Sequence, residues 1–550
     1  MVDSINCIMG CIVIPISSRR SVIRWTWICV TLFIMTDILF KNINIIDGTG
    51  RKAYIGDVGV KDGKICIGEY PSAEVIDGNG LTLLPGFIDV HSHGDINYLD
   101  DFASLSKLSQ GITTQVTGNC SISMFPIRDI SDFTKFAKGF CGQPTFPENV
   151  SALSTPEGYA EELETQKRLN FAYYTGMGSL RLYTMGYSTD KPSERHMDIM
   201  KEMLARSIES GSLGLSTGLV YVPNCYSQKE EILELLKVIK KYDAFYATHV
   251  RNESNRVIEA YDEALETAYE ADVTLFLSHF KAAGRTNWGK PHKILQKVSQ
   301  YKAKGMKITL DHYPYLAGMT ALNVSIPPEY RKDGNEKLAE YLADESIVEK
   351  IRQRMSAPVD DYENYVIACG GFDGVLVSSC PFDHSADGMT VSEYAEKVGM
   401  EPFEAYIDIL RKNKGLGLAV YFHMCEDDLL EIAQYPDTVI GSDALFGMPG
   451  ENIHPRAFGT FTQGYDLYVR NKGIFTAEEF VHRATGLAAE RLGFKHKGVI
   501  ADGYDADLIL CDLSKLKATA TYKNSNQVSE GIKTVYVNGK AAYTDGRLTG

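Results

Sequence analysis

No Cys-x-x-Cys pair occurs in this sequence, and its 11 cysteines are odd in number and scattered. That excludes a regular disulfide framework and a structural zinc finger, and points to a reducing, cytoplasmic setting. There is no basic run either. Lys and Arg number 56 against 71 Asp and Glu, a formal charge of −15, which excludes nucleic acid as a natural partner. Near the start, the uncharged stretch Trp25 to Met35 behind Arg19, Arg20 and Arg24 is about half the roughly 20 residues a membrane-spanning helix needs. No small-residue cleavage site follows it, so neither a membrane anchor nor a leader is expected. Residues 1–36 read instead as extraneous, the functional chain starting at Met35, because the strand-like Asp37-Ile38-Leu39-Phe40 follows at once.

What is present is ordinary globular composition, 44% apolar and 23% charged. At 550 residues the chain exceeds what one core supports, so a large domain and a smaller one are expected. Residues 37–82 are short β-type runs broken by turns such as Asp47-Gly48-Thr49-Gly50 and Asp62-Gly63-Lys64. Residues 496–550 read the same way, with strand-like Asp505 to Cys511 and Thr534 to Asn538 and turns at Asn538-Gly539 and Asp545-Gly546. The two ends are expected to join as a small β-sandwich domain.

Between them, over residues 83–495, strand-length apolar runs alternate with amphipathic helices, the pattern of a parallel sheet with right-handed crossovers. The runs are Leu83 to Val90, Gly111 to Thr117, Asn170 to Thr175, Leu213 to Leu219, Ala244 to His249, Val273 to His279, Lys307 to Leu310 and Thr438 to Gly441. Eight parallel strands predict an α/β fold, a (β/α)8 barrel. In one intervening helix Val257, Tyr261, Ala264, Leu265 and Ala268 recur at the spacing of one buried face. About 125 residues separate the seventh run from the eighth, too many for a bare loop. An insertion at about 318–420, with helical stretches Val391 to Lys397 and Pro402 to Arg411, is expected over the barrel mouth.

Barrel enzymes carry reactive groups at the C-terminal ends of their strands. His91 and His93 follow the first run, and side chains two apart on a strand point the same way, so both imidazoles can meet one ion. Cys120 follows the second run, His249 ends the fifth, His279 ends the sixth, and Asp443 follows the eighth. Singly each has an ordinary reading: a half-buried histidine, a small core cysteine, an aspartate capping a turn. Their coincidence at one end of one barrel points to a metal site.

This arrangement resembles the amidohydrolase superfamily from about residue 37 onward. Many superfamily members bridge two metals with a carboxylated lysine after the fourth strand, but here that strand runs into Ser216-Thr217-Gly218-Leu219. Cys120 in the bridging place is similar to the N-acyl-D-amino-acid deacylases (D-aminoacylases), as are Gly211 to Pro223, Ser278-His279-Phe280-Lys281, Tyr313-Pro314-Tyr315 and His454 to Gly459. Two positions depart: Met177 stands where relatives usually carry His, and Met319 where some carry Ser.

The resemblance implies a tightly bound Zn2+ on Cys120, His249 and His279, and a second, weaker site on His91, His93 and Asp443. Asp443 would also be the catalytic base and acid, since zinc lowers the pKa of a bound water towards about 7 and leaves a nearby carboxylate to take its proton. The implied substrate is a small N-acyl-D-amino acid, whose carboxylate calls for cations. Lys281, Tyr313 and Arg456, in the sixth, seventh and eighth loops, are the candidates for holding it. Another metal-dependent amide or cyclic-amide hydrolase, isoaspartyl- or hydantoinase-like, and a non-catalytic barrel scaffold remain the alternatives.

Overall fold

The computed structural model describes residues 9–12, 28–31, 35–68, 71–138, 144–166, 168–356, 361–445 and 451–549. Before Met35 only Met9–Ile12 and Ile28–Thr31 are described, as an antiparallel pair. The reading of residues 1–36 as extraneous otherwise lies outside the described residues. No helix among the described residues is long and apolar enough to cross a membrane.

Eight parallel strands form the barrel: β1 (Phe87–Asp89), β2 (Ile112–Thr117), β3 (Asn170–Tyr173, continued by Thr175–Gly176), β4 (Gly214–Gly218), β5 (Phe245–His249), β6 (Thr274–Leu277), β7 (Ile308–His312) and β8 (Thr438–Ile440). Each pairs with the next in sequence order. The ring closes just beyond β8, where Asp443 N–H donates to His91 O at 2.8 Å and His93 N–H donates to Ala444 O at 3.1 Å. Strands of this kind are covered on both faces, so they read as unbroken buried runs rather than alternating ones.

The surrounding helices present one apolar stripe. In α1 (Val257–Ala271), Val257, Tyr261, Ala264, Leu265 and Ala268 are buried as their spacing predicts, and the helix ends where Asp272 turns left-handed at φ 52°. Burying a side chain such as Leu265 stabilises the fold by about 1.5–3 kcal/mol, and Leu265→Asp would replace that gain with an unpaired buried charge.

The structure divides the first apolar run, which sequence pattern reads as one strand. Thr82–Pro85 pairs antiparallel with Leu508–Cys511 and parallel with Ile45, and only after Gly86 does β1 begin. Gly86 permits the change because a Cβ there would lie 2.1 Å from Thr113 Oγ1. Thr82–Pro85 thus joins a nine-stranded sheet built from both chain ends. Thr36–Ile45 pairs along one edge with Ser72–Asp77 and then with Thr82–Pro85. The sheet packs on Phe40, Ile43, Val58, Val60, Leu83, Leu508 and Leu510.

The insertion has its own sheet, which helix spacing alone did not reveal. Leu418–Phe422 lies between Ala317–Ala321 and Val375–Ser379, all antiparallel. Helices Glu345–Met355, Val391–Val398 and Pro402–Lys412 cover it around a separate core that includes Leu322, Ile351, Val377, Ile407 and Tyr421. The insertion meets the barrel mouth directly: the Glu253 backbone N–H donates to Glu363 Oε1 at 3.0 Å, and the hydroxyls of Tyr221 and Thr320 lie 3.3 Å apart.

Candidate active site

Strand register delivers the six metal-type side chains to one place. Asp89, at the end of β1, accepts from the Ser442 backbone N–H at 2.7 Å and from Lys107 Nζ at 2.5 Å. That buried pairing fixes the end of β8 against the end of β1. His91 Nε2 and His93 Nε2 consequently lie 3.6 and 3.3 Å from Asp443 Oδ1. Cys120 Sγ sits between two imidazoles, 3.3 Å from His91 Nε2 and 3.3 Å from His279 Nε2. The ligating atoms of His91, Cys120, His279 and Asp443 all lie within 4.8 Å of one another, and all four residues are buried.

Three of these residues follow their strands in a left-handed backbone conformation: Cys120 at φ 49°, His279 at 34° and Asp443 at 48°. Such a conformation costs a non-glycine residue roughly 1–2 kcal/mol, and it concentrates where side-chain direction matters more than backbone ease. Gly218 explains why β4 offers no ligand. A Cβ there would lie 2.3 Å from Cys120 O, so the strand end passes directly beneath the cysteine loop.

His249 is buried with its ring centroid 4.4 Å from that of His279, and neither of its ring nitrogens has a hydrogen-bond partner. Two orphaned imidazole nitrogens in a buried cluster are costly unless something else binds them. A divalent ion suits this donor set, since zinc takes thiolate, imidazole and carboxylate together. His249, His279 and Glu253 form a second possible grouping, with Glu253 Oε2 3.8 Å from His249 Nε2.

Electrostatics holds two of the candidate ligands, the Cys120 thiol and the Asp443 carboxyl, in their ionised forms. Burial raises the Cys120 thiol, but the charges of His91 and His279 outweigh it and hold the group well below the ordinary thiol range. Burial likewise opposes ionisation of Asp443, and Arg456 and His279 outweigh it, keeping the carboxylate ionised. Asp311 on β7 contacts two candidate ligands at once. It faces His91 Nδ1 at 3.2 Å and accepts the His279 backbone N–H at 2.9 Å, the usual outer support of a ligating histidine.

The three candidate carboxylate-holding residues also converge, although not as free groups. Arg456 Nη1 pairs with Asp443 Oδ2 at 2.8 Å, and its guanidinium lies 4.8 Å from the centre of the Tyr313 ring. Tyr313 is buried and its hydroxyl has no hydrogen-bond partner. Lys281 Nζ is engaged more deeply, 2.6 Å from Glu253 Oε1, 2.7 Å from His279 Nδ1 and 2.9 Å from His279 O. Sequence spacing missed Glu253 because it lies in a loop four residues past a strand end, where a carboxylate is ordinarily solvated. It missed Glu363 because that residue comes from the insertion. Burial first, and the charge of Glu253 second, push the Glu363 carboxyl up to about 8.

A pocket opens beside the cluster, with His93, His249, His279, Lys281, Tyr313 and Asp443 on one side. Met319 lines its other side, whereas Met177 is fully buried in the core and does not reach it.

A model of the amidohydrolase family matches residues 420–542 of the chain. The N-acyl-D-aspartate deacylase of Alcaligenes xylosoxydans xylosoxydans is 30% identical over 528 residues, spanning 94% of this chain and 93% of its own. The D-aminoacylase of the same organism is 29% identical, over 94% of this chain and 96% of its own. Among solved structures, the N-acyl-D-glutamate deacylase of Bordetella bronchiseptica, complexed with zinc and a phosphonate inhibitor mimicking the tetrahedral intermediate, superposes with a TM-score of 0.78. It is 29% identical, covering 93% of this chain and 97% of that one. A D-aminoacylase described as having a binuclear metal centre gives a TM-score of 0.75 at 27% identity, over 94% of this chain and 98% of that one.

Proposed function

Because this chain belongs to the N-acyl-D-amino-acid deacylase family of amidohydrolases, hydrolases of linear amide bonds, we propose that it hydrolyses N-acyl-D-amino acids to a carboxylate and a free D-amino acid. The observation that carries this reading is the buried convergence of His91, His93, Cys120, His249, His279 and Asp443, with the ring nitrogens of His249 unpartnered. Cys120, His249 and His279 would hold one zinc tightly. His91, His93 and Asp443 would hold a second more weakly, with Cys120 placed to serve both. Bound there, zinc supplies Lewis acidity towards a carbonyl oxygen and a lowered pKa for a coordinated water.

Asp443 takes the proton of the attacking water at its carboxylate and returns it to the departing amine nitrogen. Its ionised state, maintained by Arg456, readies it for the first of these transfers. Arg456, Tyr313 and Lys281 hold the substrate carboxylate. The arginine offers a planar fork and the tyrosine an unused donor, while the lysine contributes charge shared with Glu253. The buried Lys281–Glu253 pair also holds the His279 ring, at 2.7 Å from the lysine and 3.1 Å from the carboxylate.

The experiment is a hydrolysis screen of N-acetyl amino acids in both enantiomers on zinc-loaded protein, with each free acid compared against its methyl ester. Release of D-amino acids, with the free acid much faster than the ester, is expected. Turnover restricted to L-substrates or to cyclic amides overturns the reading, and equal rates for acid and ester remove the carboxylate-holding residues from it.

A further inference from the structure

Two buried polar side chains face one point on the pocket wall. His423 lines the pocket at 2% exposure, and its Nδ1 has no hydrogen-bond partner among the described residues. The buried Tyr313 hydroxyl has none either. Between them lies Gly318, on the strand Ala317–Ala321, where a Cβ would be 3.1 Å from His423 Nε2 and 3.4 Å from the Tyr313 hydroxyl oxygen. The missing side chain therefore leaves a notch with a ring nitrogen on one side and a hydroxyl on the other. Gly318 is paired with Tyr421 in ordinary strand conformation, so its backbone does not demand glycine.

The ring is held from behind. The His423 carbonyl accepts the Gly284 backbone N–H at 2.7 Å and the Trp288 Nε1–H at 3.2 Å, which ties the end of the insertion's central strand to the loop after β6. Burial first, and the charge of Lys281 second, bring the imidazole down to about 3, so the ring is neutral and carries one N–H and one bare nitrogen. Burying such groups unpaired is costly unless a ligand engages them.

The potential in the notch favours an anion. Lys281 Nζ lies 5.9 Å from the centre of the Tyr313 ring and the Arg456 guanidinium 4.8 Å from it, although Arg456 is not among the described residues that line the pocket. Both cations are paired, Lys281 with Glu253 and Arg456 with Asp443. At His423 and at Tyr313 alike, however, the charge of Lys281 acts more strongly than that of Glu253. The group suited to the notch is thus an anionic oxygen that accepts from an N–H and a hydroxyl at once, as a carboxylate oxygen does.

We propose that His423 is a further substrate-binding residue, which joins Tyr313 across Gly318 in holding one oxygen of the substrate's α-carboxylate. The proposal rests on the deacylase reading above and on its assignment of that carboxylate to Tyr313. On the N-acetyl-D-amino acid that zinc-loaded wild type hydrolyses fastest, Gly318→Ala fills the notch and should raise KM at least about tenfold with kcat within about threefold, the loss of hydrogen bonds to a charged group. His423→Phe, which keeps a ring without a donor, should do the same, and His423→Gln, which restores a donor, should recover most of the loss. The methyl ester lacks the anion, so its KM should move by no more than about twofold in either variant. The double variant should be no worse than the worse single one, because both changes disable the same notch.

A KM within about twofold of wild type in both variants, a loss confined to kcat, or an equal loss on the methyl ester overturns the role of His423 and leaves the deacylase reading intact. Where His423→Phe fails to fold, Gly318→Ala carries the test, since it leaves every native side chain in place. A second measurement needs no turnover and so separates the two readings. Acetate titrated into zinc-loaded protein with 15N-labelled histidine should shift the His423 ring signal to saturation in the wild type and fail to do so in Gly318→Ala, the signal being assigned by its absence from His423→Gln. Equal shifts in the two proteins, or none in the wild type, overturn the notch whichever amide is hydrolysed.

Discussion

The two walls of the cavity are built by different rules. One is made of strand ends: His93, His249, His279 and Asp443 each follow or end a barrel strand, with His91 and Cys120 behind them, and hydrogen bonds between neighbouring strands fix where their side chains meet. The other comes largely from the insertion: Met319, Thr320 and Tyr421 lie on its sheet, Tyr365 on a short helix, and His423 just past the sheet's central strand. The first wall is crowded with ionisable groups in strained backbone, and the second is neutral. The candidate ligands thus sit where hydrogen bonds between neighbouring strands set their positions. The opposite wall rests largely on the insertion's own core, with Met319 packed into the barrel's cluster.

If that division is right, substitutions on the strand-end wall should far outweigh those opposite. The largest effect is expected from Cys120→Ala, which removes the thiolate between His91 and His279. Elemental analysis should show the tight zinc lost and turnover at background, while the circular dichroism of the barrel is retained; wild-type zinc content would end the assignment. Next is Asp443→Asn, expected to retain about one zinc and lose at least about a hundredfold in kcat through the missing proton transfer. Activity within tenfold of wild type would place the proton elsewhere.

Arg456→Lys stands between the walls, because Arg456 touches both Asp443 and the Met319 carbonyl. Charge is kept but the fork is lost, so kcat/KM should fall about tenfold, mostly through KM. An unchanged KM would show that the fork does not grip the substrate. The smallest effect should come from Met319→Leu, a near volume-conserving exchange expected to stay within about threefold on N-acetyl-D-methionine. A hundredfold loss there would erase the distinction between the strand-end wall and the one opposite.

How far the sequence was legible follows the same line. Strand ends could be read because a buried parallel strand is a short apolar run, and a polar ligand terminates it conspicuously. The break at Gly86 could not, because Leu83-Leu84-Pro85 and Phe87-Ile88 are all buried and the apolar run shows no change as it passes from one sheet to another. The insertion's helices were visible from their periodicity. Its strands were not: Ala317–Ala321 and Leu418–Phe422 lie at the margins of the inserted segment and contain no turn signal to mark them. Glu253 and Glu363 were invisible for a different reason. Burial of a carboxylate depends on partners far away in the chain, here Lys281 and the backbone N–H of Glu253, and no local pattern encodes those.

The shared sheet of the two chain ends has a consequence for how the molecule is made. Thr82–Pro85, which leads through Gly86 into the strand bearing His91 and His93, is held on one side by Leu508–Cys511. During synthesis those four residues emerge more than 400 positions later, so the strand leading to His91 and His93 has its anchor completed only when nearly the whole polypeptide has left the ribosome. A nascent chain can therefore collapse its central helices and strands before the strand leading to His91 and His93 gains its partner.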